Sequence, residues 1–135
     1  MSARGKARKR ALDVLYAAEM RGEQPVEALE RIIAAGEGPT NDYTSTLVHG
    51  VAEHQARIDE LLGTYAQGWT LTRMPAVDRN VLRLGVYELL YVEDVPDGVA
   101  VSEAMSLVRD LSTDESPSFV NGLLGSIVRD KADLV

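Results

Sequence analysis

Apolar residues recur along this chain with a helical period. Ala7, Ala11, Val14, Leu15 and Ala18 fall on one stripe of a first helix. Gly22 predicts its end, and Pro25 the first residue of a second helix with Ala28, Leu29, Ile32 and Ile33 as its apolar face. The Gly/Pro-containing run 34–39 breaks the pattern. Thr40 or Asn41 is then placed to cap a long third helix. Its stripe runs Tyr43, Leu47, Val51, His54, Ile58, Leu61, Leu62 and Tyr65, and Gln67-Gly68 marks its end.

Trp69 and Leu71 lie in a short irregular stretch, after which Pro75 predicts the start of a fourth helix over Ala76–Val92. Val77, Val81, Leu82, Leu84, Val86, Leu89 and Leu90 cover more than half its circumference. Such a helix belongs at the centre, packed on several sides. Val95–Gly98 reads as a turn. Val101, Ala104, Met105, Val108 and Leu111 mark a fifth helix, and Ser112–Ser118 a loop. Phe119, Val120, Leu123, Leu124, Ile127 and Val128 mark the last helix. No segment alternates with period two. The expected fold is all-α, with six to seven helices and short connections.

Composition narrows the function. A length of 135 residues suits one domain with its own core. With no Cys there is no disulfide framework, thiolate metal site or Cys nucleophile. No window approaches the ~18 consecutive apolar residues of a membrane span. The basic segment Met1–Arg10 is not followed by an uncharged apolar run, so it does not read as a secretory signal, and a cytoplasmic location is expected. His49 and His54 are five residues apart on one helix and point roughly 140° apart, which prevents a shared metal. Glu93-Asp94, Asp59-Glu60 and Asp114-Glu115 sit among charges, where nothing raises a carboxyl pKa for acid–base work. Neither Gly36-Glu37-Gly38 nor the glycines at 122 and 125 have the strand-then-helix setting of a phosphate loop. No catalytic residue, metal or cofactor is expected.

The net charge of −7 argues at face value against a nucleic-acid partner. It hides an asymmetry. Residues 1–10 carry five of the 14 basic side chains and none of the 21 acidic ones. That segment is +5; the other 125 residues, with nine basic and 21 acidic, are −12. At ~100° per residue, Arg4, Lys6, Arg8, Lys9 and Arg10 point almost all round the first helix, so they are expected to project from it. They also lie at the positive end of the helix dipole, a placement that an arriving phosphate relieves.

Four segments carry a resemblance. Ala7–Tyr16 resembles the opening helix of the transcription antitermination factor NusB family, and Asp78–Leu89 resembles that family's central helix. Val95-Pro96 followed by Val99–Ala104 is similar to its next motif, and Phe119-Val120-Asn121-Gly122-Leu123-Leu124 to its most recognisable signature. The four stand in the family's order and spacing across essentially the whole chain.

The resemblance implies one all-α NusB-like domain over 1–135, made of two packed three-helix subdomains, 1–67 and 68–135. It implies no catalysis. Its members pair with a small-subunit ribosomal protein, called NusE in this role. The pair binds single-stranded boxA-like RNA and helps the RNA polymerase elongation complex, with other Nus factors, read through terminators in ribosomal RNA operons. The RNA-contacting positions fall on Arg4, Lys6, Arg8, Lys9 and Arg10, with a second contact on Ser118 and Phe119. Tyr16 and Asp78 match positions used toward NusE. The chain has Asp13, Ser102 and Ser118 where Gln, Asn and Lys are common in the family. Ser118 removes a cation, so affinity is expected to lean on residues 4–10 and on a partner.

The residues themselves fit this picture. Single strands are read by bases on aromatic rings beside a cationic track, and Phe119 can supply a ring or begin the last helix's core stripe. Asn121 is expected to fix the loop as a buried amide. An alternative is a helical protein–protein adaptor, monomeric or a homodimer when free, without intrinsic sequence-specific RNA binding. RNA cytosine methyltransferases with a NusB-like domain need a catalytic Cys, so this chain is not expected to be one. A helix-turn-helix regulator would need a basic recognition helix that is not found.

Overall fold

The computed structural model describes residues 2–38, 41–67 and 69–135. Among them the fold is all-α, with six helices and one short 3-10 turn. The helices are α1 (Ala3–Arg21), α2 (Pro25–Ala34), α3 (Asp42–Tyr65), α4 (Ala76–Tyr91), α5 (Asp97–Leu111) and α6 (Ser116–Leu134). The 3-10 turn, Leu71–Arg73, lies between α3 and α4. The chain forms two compact units, Met1–His54 and Gln55–Val135, with the boundary inside α3.

Local chemistry explains the ends of the helices. Ser2 caps α1, its hydroxyl accepting from the Gly5 N–H at 2.9 Å. Gly22 closes α1 in the left-handed region at φ 69°, where the Gly22 and Glu23 N–H groups donate to Glu19 and Ala18. Gly36, at φ 75°, closes α2 the same way, donating with Glu37 to Ile33 and Ile32. Asn41 caps α3, its side-chain oxygen accepting from the Tyr43 N–H at 2.8 Å. Thr40, the other candidate cap, and Gly68, at the expected end of α3, lie outside the described residues.

Three starts differ from expectation. Pro75 is the N-cap of α4, not its first residue, and its carbonyl accepts from Arg79. The turn expected at 95–98 is shorter, because the Pro96 carbonyl already accepts from Val99 and Ala100, and Asp97 favours the positive end of α5. The expected loop over 112–118 ends early, since Pro117 is tolerated in a first turn and α6 begins at Ser116.

In the first unit, α1 packs on α2; Ala11, Leu12, Val14, Leu15 and Ala18 of α1 and Ala28 and Leu29 of α2 are buried. Ile33, expected on the buried face, is half exposed and lies against Gly38. The N-terminal half of α3 is tied to α1 where the Thr44 hydroxyl donates to the Ala7 carbonyl at 3.1 Å.

The second unit is centred on α4, which contacts both α5 and α6, as its broad apolar arc predicts. Val81, Leu82 and Val86 of α4, Val108 of α5 and Leu124 and Ile127 of α6 are fully buried. Leu111, from the expected α5 stripe, is exposed instead. Gly85 lets α4 approach closely: a Cβ there would stand 3.1 Å from Leu124 Cδ1 and 3.7 Å from Ala104 Cβ. Arg83 makes a two-pronged ion pair with Asp59 at 2.9 and 3.0 Å, joining α4 to the C-terminal half of α3.

The end of α3 is fastened to α6 by the Tyr65 hydroxyl, which donates to Asp130 Oδ2 at 2.6 Å. That bond, then desolvation, then the Asp130 charge, raise the Tyr65 pKa above its usual 10.0. The same bond, then one from Arg129, lower the Asp130 carboxyl below its usual 3.8. A raised Tyr65 value means a contribution that is full below pH 10.0 and fades as pH climbs through the folded value. A lowered Asp130 value means a contribution present above pH 3.8 and lost as pH falls through the folded value. Tyr65→Phe should therefore flatten the urea-midpoint profile at both pH extremes relative to the parent. Superimposable profiles would show that this bond carries no pH-dependent stability.

Candidate nucleic-acid interface

Two surface features hold the residues singled out in the sequence. The first is the start of α1, in the first unit. Arg4 and Arg8, one turn apart, both turn toward Tyr43 of α3, their guanidinium carbons 4.3 and 5.8 Å from the ring centroid. Lys6, Lys9 and Arg10 lie on other sides of the helix. Lys6 is exposed, with no side-chain partner among the described residues. Lys9 pairs with Asp13 at 2.7 Å, and Arg10 Nη2 donates to the Glu37 carbonyl at 2.6 Å.

This corrects the expectation that all five cations project. Arg8 is only 4% exposed. Its side chain is covered, with the guanidinium carbon 5.8 Å from the centroid of the Tyr43 ring. The sequence signal for this was faint, because the partner ring is 35 positions away. The Lys9–Asp13 pair sits at the surface, where such pairs contribute ~0.3–0.5 kcal/mol, so a phosphate competes for Lys9 at small cost. Tyr16 is 39% exposed on α1.

The second feature lies in the second unit, where the starts of α4 and α6 meet. Asp78 is 2% exposed, and its carboxylate accepts from Ser112 Oγ at 2.5 Å and Ser116 Oγ at 2.7 Å. Asp78 is thus an internal clasp that fixes the α5–α6 connection. Two residues beyond Ser116, Ser118 is exposed; Phe119 beside it is half-buried. Trp69 leans on Phe119, their ring centroids 5.9 Å apart and the planes at 48°. The segment carrying Trp69 is held to α4 by Arg79 Nη1, which donates to the carbonyls of Leu71 at 2.6 Å and Met74 at 3.0 Å.

A cleft of about 320 Å³ opens beside the two rings, lined also by Arg73, Pro75, Asp78 and Glu115. A second, of about 400 Å³, is lined by the same rings with Tyr65, Gln67, Ser118 and Ser126. Sequence reasoning missed Trp69 and Arg73, because the stretch between α3 and α4 has no periodicity to interpret. Its one signal was the chain's single Trp in an irregular segment. Asn121, expected as a buried amide, is exposed on α6. His49 is exposed and His54 half-buried. Among the described residues no cluster of His, Asp and Glu could hold a metal ion, and no helix is long and apolar enough to cross a membrane.

The described residues thus present a basic helix end in the first unit and an aromatic cleft in the second, on an all-helical frame. The NusB family model matches residues 5–129, and the chain belongs to that family. It is 77% identical over 134 residues to the transcription antitermination protein NusB of a Nocardioides species, covering 99% of both chains. Among solved structures it is similar to T. maritima NusB, with a TM-score of 0.85, 32% identity, and 96% of this chain and 92% of that one covered. It is also similar to a chain from the complex of antitermination factors NusB and NusE with double-stranded RNA. There the TM-score is 0.81, with 30% identity and coverage of 93% and 96%.

Proposed function

We propose that this chain is a transcription antitermination factor. Together with a small-subunit ribosomal protein acting as NusE, it binds boxA-type RNA of ribosomal RNA operons in the cytoplasm. It works by binding and not by catalysis. The observation that carries the reading is its near-full-length identity to an antitermination protein. The arrangement of charges supports it. Lys6, Lys9, Arg10 and Arg4 meet the phosphates, while Arg8 seats the helix that presents them. Ser118 and Phe119 supply the second RNA contact. Tyr16 faces the ribosomal protein, and Asp78 serves that partner indirectly by holding the α5–α6 connection in place. The acidic remainder of the chain, at −12, suits a basic partner, whose association would be fast and sensitive to salt.

The test is RNA titration with and without the ribosomal protein, using boxA and scrambled strands. The expected result is partner-enhanced binding that prefers boxA. Equal affinity for both strands in the partner's presence would leave only the helical-adaptor alternative. In the same assay, replacing Lys6 and Arg10 by Ala should shallow the log K against log salt slope by about 1.4, or ~0.7 per lost single-strand phosphate contact. An unchanged slope would show that neither side chain meets the backbone.

A further inference from the structure

Trp69 is not among the residues that the family resemblance marks, yet it is the most exposed aromatic ring of the chain. Half of its surface is open, against 39% for Tyr16 and 37% for Tyr91. An indole left so open forgoes the burial that usually decides where Trp sits. It is nonetheless held. Phe119 supports it at 5.9 Å, and Arg79 pins the carbonyls of Leu71 and Met74 just beyond it. A large ring that is positioned but uncovered is a prepared contact surface.

The surroundings specify the occupant. Both clefts share Trp69 and Phe119, so the ring pair stands between them. The smaller, about 320 Å³, falls at the low end of the ~300–1,000 Å³ of small-molecule sites. In it Arg73 balances Glu115, and the Asp78 carboxylate is engaged by two hydroxyls. No excess positive charge remains to select a phosphate, so the site favours a neutral planar group. The larger cleft adds Gln67, Ser118 and Ser126, whose amide and hydroxyl groups can bond to the edges of such a group.

We infer that Trp69 and Phe119 form a nucleobase-stacking site, in which an unpaired base of single-stranded RNA lies on the open face of the indole. Phe119 fixes the indole, and the polar groups of the larger cleft read the base edge. Phosphate attraction and base stacking are then divided: the cations of α1 supply the first and the ring pair of the second unit the second. This rests on the RNA-binding reading above and adds to it a residue and a mode of contact.

The chain contains a single Trp, so its fluorescence reports this site directly. The full chain with its ribosomal partner is titrated with boxA RNA carrying a 5′ dye. Anisotropy of the dye follows binding, and Trp emission is followed in parallel against the partner's own background. Emission should be quenched along the same isotherm as the anisotropy. Trp69→Ala should weaken RNA binding by about five- to 150-fold, the range for one lost stacked base, while Trp69→Phe keeps most of the affinity. Should the Ala variant not fold, the parent's quenching and the Phe variant still decide the matter. RNA binding with unchanged emission, or parental affinity in a folded Trp69→Ala, would overturn the stacking site and leave the antitermination reading intact. Quenching by the ribosomal protein alone, with nothing further on adding RNA, would reassign the rings to protein docking and overturn it as well. No RNA binding by the parent would remove the antitermination reading and, with it, this one.

Discussion

Leu124→Ala should lower stability by about 3–5 kcal/mol, near the top of the range for a buried Leu truncation. The size follows from what surrounds the side chain. Leu124 is fully buried on α6, and its two methyl groups would lie 3.1 and 3.3 Å from a Cβ at position 85. Gly85, which has no side chain, faces those methyl groups, and Ala104, with one methyl group, stands 3.7 Å from the same Cβ position. Neither can swing into the cavity, so little of it collapses. In urea unfolding the midpoint should fall with the slope unchanged. The same geometry predicts a coupling. Gly85→Ala crowds Leu124 in the parent but fits once those methyl groups are gone. In the Leu124→Ala background it should therefore restore about 1 kcal/mol, through cavity filling and better helix propensity. A loss under about 1 kcal/mol for the single variant, or strict additivity in the pair, would show that α4 and α6 close the gap by moving together.

The second large effect is expected at Asp78. Asp78→Ala removes two charge-assisted hydrogen bonds at ~1.5–3 kcal/mol each, and the net loss should be about 3 kcal/mol. It stays below the sum because the freed hydroxyls have other partners. Ser112 Oγ and Ser116 Oγ are 3.0 Å apart, and Thr113 Oγ1 is 2.8 Å from Ser116 Oγ. Asp78→Asn keeps an acceptor at the same place and should cost about half as much. Hydrogen exchange gives a sharper readout than global stability. Amides in the first turn of α6 should lose protection in Asp78→Ala, whereas those in α1 should not. Uniform loss in both helices would mean that the clasp stabilises the whole fold and not the Phe119 end of α6.

The helical frame was readable because its signals are local. Gly22, Pro25 and Asn41 act within a few residues, and each ends or starts a helix where its own chemistry places it. Most of the buried face of α4 follows from its apolar arc, although Val77 and Leu90 are half-buried and Asp78, Asn80 and Glu88 are buried with it. What escaped was set by residues distant in sequence. Arg8 read as a projecting cation because nothing near it in the chain announces Tyr43. The Asp78 clasp escaped as well, since its partners are 34 and 38 residues away. Ile33 and Leu111 kept the right helical phase yet stayed exposed, because phase fixes a direction and not what stands there. Trp69 escaped for the opposite reason: it lies in no regular element, and its place depends on Phe119 of α6 meeting its ring and on Arg79 of α4 holding the Leu71 and Met74 carbonyls beyond it.

Ser2 at the cap, Tyr43 under two guanidinium groups and the Glu37 carbonyl on Arg10 hold the basic turns of α1 as a formed helix. These are contacts of the chain with itself. In the proposed RNA-binding role, a strand would meet a rod and not a tail that must coil up around it. The entropic cost of ordering that end would be met during folding of the protein, so the heat-capacity change of association should reflect surface covered by RNA and carry no contribution from helix formation at residues 3–10.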